Sequence, residues 1–314
     1  MKRLSVLSHA WLVLLLLSSV PPAQAAKLKP FILGDTPAGG AVEVVAKTEA
    51  SLQAQGFRIV GSYSPYAGAT AICATNDALI AAAAAAENGG FGVAQRVSVT
   101  EVDGKLQVAY VNPAYLGTAY GLGKLEGVSA KLKSALGRKL EFGAKGVEAR
   151  KLVPGKYHYM MGMPYFHDVT LLNKFDDHDT AVATVERNLA AGKGGTKKVY
   201  RIDLPGKQVS VFGVGIPQGD GPDDGRKDTD KEVMAIIDYR EHRSTAALPY
   251  ELIVQGKEVM ALPGRYRIAV HFPDTRMAGK HGFTKIMSSP KGIRLALEAV
   301  AGYDKKKGFS ASGQ

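Results

Sequence analysis

Apolar positions along this chain fall into two spacings, 3.6 for helices and two for strands. Val42, Val45 and Leu52 mark one side of residues 41–55, and Gly56 suits a left-handed C-terminal position, so a helix is expected there. An extended region follows over 57–74. Asn76 and Asp77 can cap an alanine-rich helix that stops at Asn88-Gly89-Gly90. Residues 94–102 and 106–111 alternate like paired strands about the turn Asp103-Gly104. A third helix around 128–136 ends at Gly137.

The second half repeats this order. Asp179 or Thr180 opens a helix carrying Val182, Val185 and Leu189, which stops at Gly192. Residues 199–202 and 208–216 are extended, and Thr229 with Glu232 forms a capping box ahead of Val233, Ile236 and Ile237. Residues 252–261 and 266–272 read as a second hairpin, and Ser289-Pro290 starts a final helix through Ile293, Leu297 and Val300. GKLQVAYVNP (104–113) aligns without gaps on GRYRIAVHFP (264–273). The pattern predicts an α+β fold of two similar domains from an internal duplication, each a mostly antiparallel sheet packed with helices. Two unrelated α+β halves sharing one hairpin remain the alternative. The expected divisions are a first domain over 26–150, a connecting segment over 151–179, a second domain over 180–303 and a basic flexible tail over 304–314.

At these residues the chain resembles a known family. DGKLQVAYVNPAYL, preceded by a helix and the turn into GFRIV, is similar to domain-of-unknown-function family 302. LPYELIVQGKEV resembles that family's Leu-Pro-led first strand. Phe212-Gly213 with Pro217 is a looser match to its Phe-Gly-Asn-Pro turn, lacking the Asn and spaced more widely. The resemblance covers 42–136 and, more weakly, 180–302. It implies a compact α+β fold in two tandem, diverged copies. It carries no activity and assigns no catalytic residue.

The ends and the charge set the compartment. Lys2 and Arg3, the apolar run WLVLLLL and Ala23-Gln24-Ala25 read as a signal peptide over 1–25, which places the mature protein in the periplasm or outside the cell. No later segment is apolar enough to span a membrane. The lone Cys73 lies in an apolar strand, as a small buried hydrophobe would. The formal net charge of +11 favours an anionic envelope component as partner. Its positive charges are dispersed with no aromatic interleaving, which speaks against nucleic acid.

Candidate chemistry concentrates in KYHYMMGMPYFHDVTLLNKFDDHD (156–179), between the two halves. Three of the seven His and three of the eight Met are there. Read as a strand, 156–163 places His158 and Met160 on one face, and the break at Met163-Pro164 lets His167 return towards it. Thioether and imidazole suit copper, or an axial position on haem iron. The candidate ligands are His158, Met160, Met163, His167 and His178. A half-buried strand bridging the domains, its histidines satisfied locally, is the structural alternative. Asp176, Asp177 and Asp179 have reason enough to be present as helix-capping carboxylates. The loop 219–230 departs from a calcium loop, with Pro222 at its third position and Lys231 at its twelfth. Hydrolase motifs are missing. His271 and Asp274 are the remaining acid–base candidates, or His271 is an exposed strand residue. Three functions stay open: a non-enzymatic binding protein, an enzyme with its site between the halves, and a structural envelope protein.

Overall fold

A computed structural model describes residues 27–217 and 228–303 of this chain. The expected leader and basic tail, and most of the acidic loop at 219–230, lie outside the described residues. The fold is α+β, with eight α-helices and three antiparallel sheets among the described residues.

The first half runs β1 (Lys27–Leu28), β2 (Phe31–Leu33), α1 (Ala41–Ala54), β3 (Arg58–Tyr63), β4 (Ala69–Thr75), α2 (Asp77–Ala85), β5 (Gln95–Val102), β6 (Lys105–Val111), α3 (Pro113–Ala119), α4 (Glu126–Leu136), β7 (Leu140–Phe142) and β8 (Val147–Glu148). The second half runs β9 (Thr170–Lys174), α5 (His178–Ala190), β10 (Lys197–Asp203), β11 (Val209–Gly215), α6 (Asp230–Ile237), β12 (Tyr250–Gln255), β13 (Glu258–Ala261), α7 (Gly264–His271) and α8 (Ser289–Val300). The caps follow the expected chemistry: Asn76 accepts from the Leu79 amide, and Thr229 from the Glu232 amide at 3.3 Å. At α5 the cap is Asp177, ahead of the expected Asp179 or Thr180, accepting from the Thr180 amide at 2.7 Å.

The six-stranded sheet has the order β3-β4-β5-β6-β2-β7 and the five-stranded sheet β10-β11-β12-β13-β9, while β1 pairs separately with β8. Apart from the extra edge strand β7, the two orders are the same. Registers correspond as well. Ladder shifts at Val60 in β3 and Val199 in β10 put Gly61, Cys73 and Arg96 in the places held by Tyr200, Gly213 and Glu251.

The hairpin match is nevertheless a correction. Gly104–Pro113 spans a turn and β6, but Gly264–His271 is the helix α7. The second hairpin is β12 with β13, pairing Leu252 with Ala261 across the turn at Gly256. Pro263 cannot donate to a ladder, and β13 ends before it. All six residues from Tyr266 to His271 are buried, so α7 shows no amphipathic period, and strand-like alternation was a chance reading. Residues 170–174 also leave the connecting segment, because β9 is the edge strand beside β13.

One face of the first sheet, with Ile72, Val97, Val99, Val108 and Tyr110, packs under α1 and α4. Its other face, with Ala71, Cys73, Ala109 and Val111, joins one large core with the second sheet. Cys73 is fully buried there, and burial pushes its thiol up to about 12, which fits the packing role. The edge strands β3 and β10 run so close that a Cβ on Gly61 would lie 1.9 Å from the Val199 carbonyl oxygen, which only glycine permits.

Candidate functional site

The five expected ligands separate. Residues 156–163 form turns instead of a strand, with Gly155 and Gly162 at positive φ on either side of His158 and Met160. The shared strand face expected for those two residues is therefore not formed. His158 donates from Nδ1 to the Met160 carbonyl at 2.7 Å, and its ring lies 4.7 Å from that of Tyr165. His167 sits 3.9 Å from Glu87 in the first half, while His178 opens α5 beside Ser210 at 3.4 Å. Only Met160 and Met163 come to a common cavity. Among the described residues no group of three or more His, Cys, Asp or Glu is placed to hold a metal ion.

Tyrosines strap this segment to the second half. Tyr157 donates to the Ala269 carbonyl in α7 at 2.9 Å, and Tyr159 donates to the carbonyl of Thr275. Beside these anchors lies a cavity of about 290 Å³. Met160, Met161 and Met163 form one wall. Ile268 and Ala269 of α7 and Phe272 just after it form the floor, and Met277, Phe283 and Met287 close the far side. Exposure decides its character: Met161 is 94% exposed, Met287 55%, Met160 47% and Met277 42%. Half of the eight large apolar side chains that face solvent among the described residues are these four methionines. Gathering them around one concavity leaves apolar surface uncovered, which is the mark of a binding surface.

The far wall was not foreseen. It belongs to 272–288, between α7 and α8, where the corresponding helices α3 and α4 are joined by residues 120–125 alone. Met277 and Met287 are legible as methionines in the sequence, but only the fold brings them to the central stretch.

His271 lies elsewhere, at the heart of the molecule. Arg96 from the first sheet pairs with Glu251 from the second, and Arg267 Nε donates to Glu251 Oε2 at 2.9 Å. The His271 ring touches both guanidinium groups, with Nε2 2.8 Å from Arg96 and Nδ1 2.6 Å from Arg267. All four side chains are buried. Burial, then the two positive neighbours, hold the imidazole well below its usual range, so it is neutral. Remaining guanidinium donors reach the carbonyls of Ala246, Ala247 and Pro249. Asp274 accepts instead from the Lys145 amide at 2.7 Å, and the expected His271–Asp274 pair is not formed. Nor is His271 an exposed strand residue. A closed cluster with no access for substrate does structural work, joining the two sheets.

Comparison with known proteins adds no relative: no family model, curated protein or solved structure matches this chain.

Proposed function

We propose that this is an exported, non-enzymatic binding protein, and that its ligand occupies the methionine-lined cavity between the central segment and α7. The observation that carries this reading is the convergence of five of the eight methionines, from 160–163 and from 277–287, on one open cavity. Methionine is flexible and polarizable, so a wall built from it adapts to an apolar body of irregular shape. The insertion that supplies the far wall has no counterpart in the first half, as expected of an elaboration added to a repeated scaffold. No acid–base pair lines this cavity, and the buried His271 is sealed away.

A second reading has its own support. Thioethers are soft donors, and three of the five could hold Cu(I) without help from histidine. Haem needs an axial donor from the same set. Elemental, mass and absorbance analysis of protein purified from its native envelope separates these. An organic mass lost on denaturation supports the apolar ligand, and stoichiometric copper supports the metal. Protein that is consistently empty, and that takes up neither in vitro, removes the proposal.

A further inference from the structure

The cavity is not wholly apolar. Arg265, the second residue of α7, lines it and also lines an adjoining cavity of about 240 Å³, and the two share Met287 as well. The second chamber is walled by Leu172, Ala261, Ile293 and Leu297, with Lys291 and Arg294 at its rim. Neither chamber is lined by Asp or Glu. Arg294 is engaged by Glu298, but the exposed Arg265 side chain makes no hydrogen bond or ion pair among the described residues.

The surrounding backbone reinforces this charge. α7 and α8 both begin at the second chamber, so close that a Cβ on Gly264 would lie 3.0 Å from Pro290 Cα. Helix N-termini are positive, and α1, α2, α4, α5 and α6 each carry an acidic residue in the first turn. α7 carries none and has Arg265 there instead, whereas α8, which has Lys291 in its first turn, already has the Asp228 carboxylate beside Gly292. A cation at the positive end of a helix works against the local field. An anion seated at the start of α7 removes that conflict.

We infer that the groove takes an amphiphilic carboxylate, its aliphatic or aromatic body among the methionines and its headgroup on Arg265. This rests on the groove being the binding site and adds the class of ligand. The guanidinium offers a bidentate fork to a carboxylate, and the apolar walls beside it take the body of the same molecule. The same positive charge disfavours Cu(I) in the neighbouring chamber.

The test uses three probes of equal chain length below their micellar concentrations: dodecanoate, dodecanol and dodecyltrimethylammonium. Each is titrated calorimetrically into mature wild type, Arg265→Ala and a Met160→Gln, Met277→Gln double variant, with Cu(I) as a fourth titrant. The wild type should bind dodecanoate best and the cationic probe least. Arg265→Ala should weaken dodecanoate by roughly tenfold or more, as expected for loss of a charge-assisted contact, and leave dodecanol unchanged. The double variant should weaken both. Unchanged dodecanol binding to Arg265→Ala also shows that this variant is folded. Equal binding of acid and alcohol, both insensitive to Arg265, overturns the headgroup assignment while the groove stands as an apolar site. Copper binding lost in the methionine variant, with no amphiphile bound, replaces the ligand class with a metal. No binding of any titrant to wild type overturns both the ligand class and the groove.

Discussion

The buried charge cluster and the methionine groove both join distant segments, yet they treat their unfavourable groups in opposite ways. Arg96, Glu251, Arg267 and His271 are taken wholly out of water, and each is met by partners from the other elements. The groove leaves apolar thioethers in water and an arginine unpaired. Burial of charge is tolerable only when complete, so the cluster reads as a device that fixes how the two sheets meet. Exposure of apolar surface has no such internal reward. The contrast teaches that an unusual residue set is a site only where something remains unsatisfied.

If this contrast holds, the cluster responds to mutation through stability. Glu251→Ala leaves two buried guanidinium groups without a carboxylate and should cost about 3–5 kcal/mol in chemical denaturation. Arg96→Met should cost distinctly less, because Arg267 still pairs with the remaining carboxylate. The reverse order would mean that Glu251 is not the hub.

A pH effect of intermediate size comes from Asp230, another contact between the halves. Its carboxylate accepts from the Tyr63 hydroxyl at 3.0 Å and the Ile216 amide at 2.9 Å. Burial raises it to about 7, against the weaker lowering by those bonds. The folded state therefore holds its proton more tightly than the unfolded chain. The stability this group contributes is complete below about 4, the ordinary carboxyl value, and is lost as pH rises through about 7. His271 acts in the opposite sense, costing stability as pH falls below about 6.5, where the unfolded imidazole gains a proton. Thermal melts at pH 5 and pH 8 should show Asp230→Asn with a smaller loss on going to the higher pH than wild type. An identical loss in both would show that Asp230 titrates normally.

The smallest effect is expected at the groove itself. Met160→Gln with Met277→Gln should change unfolding free energy by no more than about 0.5 kcal/mol, as for exposed positions generally. A loss of several kcal/mol would make these methionines core and erase the contrast.

Most helices, the caps at Asn76 and Thr229 and the inner strands of both sheets were legible, because Asn76, Thr229 and Gly137 act through neighbours in sequence, whereas β2, β7 and β9 were not. α7 was not, since six consecutive buried residues satisfy neither period and GRYRIAVHFP alternates well enough to imitate β6. The shared order of elements in the two halves was legible, but the ten-residue match between them paired a strand with a helix. Of the site, the 160–163 wall was visible as local enrichment. The chosen histidines were not part of it, because turns at Gly155 and Gly162 replace the strand that was to align them. Arg265 gave no signal at all: one arginine among many becomes distinctive only beside an apolar cavity with no carboxylate.

The central claim is tested most directly with methyl-labelled methionine followed by NMR during dodecanoate titration. Met160, Met161, Met163, Met277 and Met287 should shift together and saturably, while Met234 and Met260, buried in α6 and in β13, stay in place. Stationary groove methyls, with ligand bound and shifts confined to the buried pair, would contradict the account.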